Sequence, residues 1–393
     1  MIDPKVKDLF WNVVMECLMK FHRFKAVDAI EKTDELRTRI GQPPTGISNE
    51  IFYHSEPFYV ACDLAGKELD LKECYKEYEA LLIKNKWPEL VTKKAGYAMG
   101  VIEETKKLLS EDRFRIKLHD LVAAQVREVI PRISDEQFPI LGNWSEKEFV
   151  ERLKKYEETT SDLRGMQALL GYWGTEANRG TLTSPIKQIC GRLKPVSGVT
   201  GWIGLRWYPA LLLLYVGGIA AVAAGKYDNL RALLQANISD PEQSYEGVTL
   251  TRRISGALDD IGDAFKKIPG HESHYTPRSE YLLQLLKPTM EDLLFLGIEY
   301  ESYFDRFEVL FALEHAEQYA SEQSGQVWGP IGRFGWKFRK GDRSSPLHRV
   351  IAEAEAQGDS WPPIVAGLFK GSANRFKEIA SGYSQLIGKL GWW

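Results

Sequence analysis

The chain has 393 residues, 44% of them hydrophobic and 27% charged, with a formal net charge of −3 at pH 7. These fractions describe a globular protein with an ordinary core and exclude a disordered or fibrous one, and the length predicts two or three domains. The near-balanced charge supplies no global attraction to nucleic acid or anionic lipid, so binding of either must come from a local patch.

From the N-terminus, residues 1–88 read as a small helical domain. MIDPKVKDLFW has no basic stretch followed by an apolar one, so it is not a signal peptide, and a cytoplasmic location is expected. Asp3-Pro4 opens a helix, and Leu9, Phe10, Val13, Val14, Cys17, Leu18 and Phe21 recur at helical spacing. A second helix is predicted over residues 25–40, with Val27, Ile30 and Leu36 inside. Residues 41–46 are a loop by their Gly and Pro content. Pro57 starts a new helix, Gly66 stops it, and Asp70 opens an amphipathic one. The stretch 84–94, with Trp87-Pro88, is the expected linker to a larger helical domain over residues 89–393.

Within that domain, periodic segments are predicted at 89–109, 111–130, 145–158 and 160–172. Ser145 and Glu148 have the spacing of a capping box. Residues 174–204 are rich in Gly, Thr, Ser and Pro and predict an irregular loop or a short β element. The most apolar run follows, WYPALLLLYVGGIAAVAAGKYDNLRALLQ from Trp207 to Gln235. Its uncharged part, Ala210 to Ala224, is shorter than the roughly 18 apolar residues of a membrane span, and no span is expected. Gly225 and Asp228 stop one helix and start another, giving a buried helical hairpin. Gly218, Gly225, Tyr227 and Leu234 fall where a tetratricopeptide hairpin places small and large residues, with Ala221 at a position usually aromatic. Later helices are predicted at 251–267, at 279–286 with a restart at Pro288, at 300–322, at 348–356 and at 372–390. Residues 269–277 form a loop, and 326–341 are not helical. The fold is predicted to be mainly α, multi-helix, with a tetratricopeptide-like hairpin core and a small β or irregular element near 327–340.

No complete catalytic signature appears. The chain has no GxxxxGKS or GxxxxGKT, no GxGxxG after a strand and no GxSxG, so neither an ATPase, a Rossmann dehydrogenase nor an α/β-hydrolase is supported. No cofactor is expected. Cys17, Cys62, Cys74 and Cys190 make no close CxxC pair and read as reduced, buried thiols. His271 and His274 lack the helical spacing of a metal pair, so no metal is assigned. His54 beside Glu56 could be a general base, but no nucleophile accompanies it. Arg343 and His348 have the spacing of an RNA-cleaving helical motif that Pro346 interrupts, and Arg113 with His119 is a looser version. His54 or His348 as base gives a third reading, a toxin-like nuclease.

The best local binding signal is VWGPIGRFGWKFRK, followed by Arg343. It interleaves Trp328, Phe334, Trp336 and Phe338 with Arg333, Lys337, Arg339 and Lys340. Aromatic rings can stack on bases while cations meet phosphates, so Trp328, Arg333, Trp336, Lys337, Arg339, Lys340 and Arg343 are the candidate nucleic-acid contacts. The same alternation suits a β-strand with Phe334, Trp336 and Phe338 on an apolar face and the cations at the surface.

Three stretches, RWYPALLLLYVGGIAAVAAGKYDNLRALL, YESYFDRFEVLFAL and VWGPIGRFGWK, resemble a helical region at the C-terminal end of multidomain bacterial proteins associated with phage defence. The resemblance covers roughly residues 95–393. In those proteins the region lies behind an N-terminal effector module, whereas residues 1–88 here are too short and too helical for a Sir2, TIR or nuclease domain. The resemblance implies a sensor or scaffold subunit of an anti-phage system that engages a protein partner or itself, with catalysis in that partner. Nucleic-acid binding through 327–343 is the second reading.

Overall fold

The computed structural model describes residues 4–41, 57–85, 98–194, 197–238, 248–259, 261–338 and 344–390. It is mainly α, as predicted: 18 α-helices account for most of the described residues, joined by short 3-10 turns and a two-stranded ribbon. Two compact units emerge, Met1–Gly100 and Val101–Trp393. The boundary therefore lies at Gly100, after the predicted linker, most of which falls outside the described residues.

In the first unit the helix Pro4–Phe21 packs against Ala26–Gly41, Pro57–Ala65 and Leu71–Lys84. Its stripe of Phe10, Val13, Val14, Cys17 and Leu18 is fully buried. Phe58 sits edge-on to Phe21 and Tyr78, with 5.3 Å between ring centroids in each pair. The second helix is turned from the predicted orientation. Ala29 and Thr33 face the core, while Val27 and Ile30 are 74% and 46% exposed. The small Ala and a Thr hydroxyl returned to the Ala29 carbonyl let this helix lie close, which larger inward side chains would prevent.

The second unit is built round the helix Tyr208–Ala223, buried from Tyr208 to Val222. With the preceding Thr200–Leu205 helix it makes a run of 24 residues long and apolar enough to cross a membrane, and its apolar window is entirely covered by protein. Helices Ser161–Trp173, Arg179–Cys190, Pro277–Leu294 and Tyr300–Glu322 surround it. At Gly218 any Cβ would overlap the Phe307 ring, so the glycine sets how closely the central and Tyr300–Glu322 helices approach. The predicted hairpin is present: Gly225 turns the chain at φ +66°, and Tyr227–Leu234 returns along the central helix. The central helix has two polar outlets, both on buried acids. Tyr208 donates to Glu157 at 2.8 Å and Tyr215 to Glu308 at 3.0 Å.

Four further predicted features differ. Residues 174–204 are largely helical, with helices at Arg179–Cys190 and Thr200–Leu205. The Thr183 hydroxyl folds back on the Arg179 carbonyl, so a residue read as a breaker is accommodated within the helix. The helix from Pro277 runs unbroken through Pro288 to Leu294, because packing against several neighbours outweighs one missing hydrogen bond. The β element is not near 327–340. It joins Asn237–Ile238 to Val248–Thr249 in antiparallel register, and described residues 326–338 are irregular. At Ser145 the cap forms, but Glu148 turns to Arg152 at 2.9 Å instead of completing the box.

Candidate functional site

The Tyr300–Glu322 helix is buried nearly all round, acids included. Asp305, Glu308, Glu314 and Glu317 are each at most 4% exposed in their side chains or as whole residues. Burying a carboxylate is costly unless it is paired and hydrogen-bonded. For Asp305 and Glu308 the partners come from the first turn of the Pro277–Leu294 helix, the irregular segment 326–338 and Tyr215 of the central helix, whereas Glu314 is met by Gln235 and the Phe369 N–H and Glu317 by Lys370 and Arg375.

Arg333, 5% exposed, is the centre of the clamp. Its guanidinium reaches Glu301 at 2.9 Å, Asp305 at 3.1 Å and Glu280 at 3.2 Å. Lys337 lies 2.7 Å from both Glu301 and Asp305. The Trp336 indole donates to Glu280 at 2.9 Å. Two cations thus face three carboxylates. The Lys337 hydrogen bond, reinforced by Arg333, draws Glu301 down to about 2, whereas burial pushes Asp305 up despite both cations.

Below the clamp, Glu308 is 1% exposed. Its oxygens accept the Tyr215 hydroxyl at 3.0 Å, the Ser279 hydroxyl at 2.7 Å and the Arg333 backbone N–H at 3.0 Å. Gly332 makes that contact accessible, since a Cβ there would overlap the Glu308 carboxylate. Burial outweighs the Ser279 and Tyr215 donors and, with neighbouring Asp305, raises Glu308 to about 7. A recess of about 290 Å³ opens beside Glu308, lined by Tyr215, Thr276, Arg278, Ser279 and Phe311 and walled by Pro330–Gly332.

The candidate nucleic-acid contacts divide. Arg333 and Lys337 point at carboxylates inside the unit. The expected surface cations are therefore drawn inward, because the two adjoining helices present Glu280, Glu301 and Asp305 to them. Phe334 and Phe338 are core, while Trp328 and Trp336 are 36% and 37% exposed. Trp328 rests against His315 and Tyr319, with ring centroids at 5.2 and 5.7 Å. Burial and then Arg252 lower His315 to about 3, so its ring is neutral here. Arg339, Lys340 and Arg343 lie outside the described residues, as do His54 and Glu56.

His271 and His348 serve packing. His271 is buried, 5.2 Å from His274 and 5.5 Å from Tyr281 by ring centroid. Among the described residues no group of three His, Cys, Asp or Glu side chains is placed to hold a metal ion. His348 accepts or donates at Ser345 Oγ, 2.9 Å away, and stacks on Phe338. Arg113 pairs with Glu111 at 2.7 Å, and His119 lies beside Asp120 on an exposed face. Burial pushes the Cys190 thiol up to about 12, which leaves it unreactive.

Sequence reasoning missed Glu308, Ser279, Tyr215, Thr276 and Arg278. One signal was present: Asp305 and Glu308 interrupt the stripe of Phe304, Phe307, Leu310 and Phe311, and an acid within an apolar face needs a partner. No protein-family model matches this chain, and neither do curated proteins or solved structures.

Proposed function

We propose that this chain is a helical sensor or scaffold subunit of a bacterial anti-phage defence system, acting through a protein partner that carries the chemistry. The defence setting comes from the resemblance of the segments around 206–234, 300–313 and 327–337. The structural support is the clamped segment itself. Arg333 and Lys337 pin it to three carboxylates, and it carries two half-exposed tryptophans, Trp328 and Trp336. Aromatic side chains held in advance are what protein interfaces use as anchors, because little conformational freedom is lost on docking. The nucleic-acid reading gains less from this geometry, since Arg333 and Lys337 are already committed to carboxylates.

The test is an affinity capture of the tagged chain from its native host, with and without phage, using the wild type and a Trp328→Ala/Trp336→Ala double variant. One protein should be captured stoichiometrically by the wild type. The purified pair should re-form, and the double variant should bind it at least about tenfold more weakly, as expected for two anchor residues. A monodisperse monomer that captures nothing under either condition overturns the proposal. Nucleic acid eluting without protein also overturns it, in favour of the second reading.

A further inference from the structure

The chain reverses its handedness just before the last helix, Ala373–Gly388. Gly367 has φ +91°, and Phe369, Lys370 and Gly371 follow at +54°, +56° and +64°. The last three make one turn of left-handed helix, which crowds the Cβ of an L residue against the following carbonyl oxygen. Glycine escapes that crowding, but Phe369 and Lys370 do not. Among the described residues, five non-glycine positions have positive φ, and these two are the only adjacent pair. Backbone strain of this kind persists only where the surroundings impose it.

Here the Tyr300–Glu322 helix imposes it. The Phe369 N–H donates to Glu314 at 2.9 Å, and Glu314, 1% exposed, also accepts Gln235 at 2.8 Å. Lys370 reaches Ser321 at 2.8 Å and Glu317 at 3.3 Å. The Phe369 ring is fully buried and lies 5.0 Å by ring centroid from Phe376 of the last helix. Arg375 of that helix meets Glu317 at 3.3 Å. The contacts that force the left-handed turn are thus those of the docked helix and its hinge. Once they are broken, residues 369–371 are free to return to ordinary backbone conformations.

The last helix covers the segment that carries Trp328 and Trp336. Tyr383 donates to the Pro330 carbonyl, and its ring lies 6.3 Å from Phe334. Gly382 lies flush against the segment, since a Cβ there would overlap Val327. We propose that the Ala373–Gly388 helix is a lid on segment 326–338, hinged at residues 367–371 and detaching as one unit while the rest of the second unit stays folded. Strain that is present only in the closed state shifts the balance towards opening. Opening uncovers Val327, Phe334 and the Pro330 carbonyl, so the lid governs how much of the aromatic segment a partner can reach. That regulatory role rests on the partner proposed above, whereas the opening itself does not.

The experiment is native-state hydrogen exchange of the full chain, compared across variants. Residues 373–388 should exchange together, with protection at least about tenfold below that of the central helix Tyr208–Ala223. Substitutions at Lys370 separate strain from lost contacts. Lys370→Ala and Lys370→Gly both remove the pair with Glu317, but only glycine relieves the left-handed backbone. At an ordinary helical position alanine is the more stabilising of the two. Here Lys370→Gly should slow exchange of residues 373–388 about fivefold relative to Lys370→Ala. A last helix as protected as the central one, or a glycine variant that opens as readily as the alanine variant, overturns the proposal. With the captured partner, Lys370→Gly should bind about fivefold more weakly than Lys370→Ala, because less of the chain is open. Equal binding by the two would overturn the regulatory role, and an opening lid on a chain that captures no partner would leave the lid standing and overturn the partner.

Discussion

Glu308 keeps its proton to about pH 7 because burial outweighs the hydroxyl and backbone donors around it. In the unfolded chain the same carboxyl ionises near pH ~4.3. Between those values the folded protein holds a proton that the unfolded chain has released. The stability contributed by Glu308 is therefore greatest at low pH, falls as pH rises towards 7 and stays low above it. Glu308→Gln removes this titration. In urea denaturation the variant should gain on the wild type by up to about 3 kcal/mol between pH 5 and 8. Parallel stability profiles for the two proteins would show that Glu308 does not titrate in that window. At this scale the sequence was half legible. The stripe that holds Asp305 and Glu308 was evident, but the groups that meet Glu308 lie 25, 29 and 93 residues away, beyond any local pattern. The cations of segment 326–338 were misplaced for the same reason: their carboxylate partners are on other elements.

At the scale of elements, local chemistry foretold much. Pro4, Pro57, Gly66, Ser145 and Gly225 mark helix ends where punctuation residues predict them, and the Tyr300–Glu322 helix matches its predicted range. The failures came where packing overrides propensity: the helix through Pro288, the helix within 174–204, and the inward turn of Ala29 and Thr33. Gly218 shows how strictly packing acts. In a helix, Ala is favoured over Gly by up to about 1 kcal/mol, yet a Cβ here would overlap Phe307. Gly218→Ala should therefore destabilise by about 1–3 kcal/mol, as overpacking does. Pairing it with Phe307→Leu should recover part of the loss. A stabilised single variant would mean that the two helices are not in close contact.

At the scale of the whole molecule, the buried hydrophobic residues among those described form two clusters, one within each compact unit. Scanning calorimetry of the full chain should resolve two transitions, with enthalpies in proportion to size, roughly 70 and 200 kcal/mol for units of about 100 and 290 residues. A single transition whose van't Hoff and calorimetric enthalpies agree would overturn that division. The larger unit also sets a problem of timing during synthesis. The apolar run Thr200–Ala223 leaves the ribosome before the Pro277–Leu294 and Tyr300–Glu322 helices that complete its cover, and translating about 100 further residues takes on the order of 5–20 s. Throughout that interval a nascent chain exposes a segment with the length and composition of a membrane helix. Its yield in the cell should depend on chaperones that shelter such segments, and a stalled or truncated chain ending before Tyr300 should be recognised as damaged and degraded.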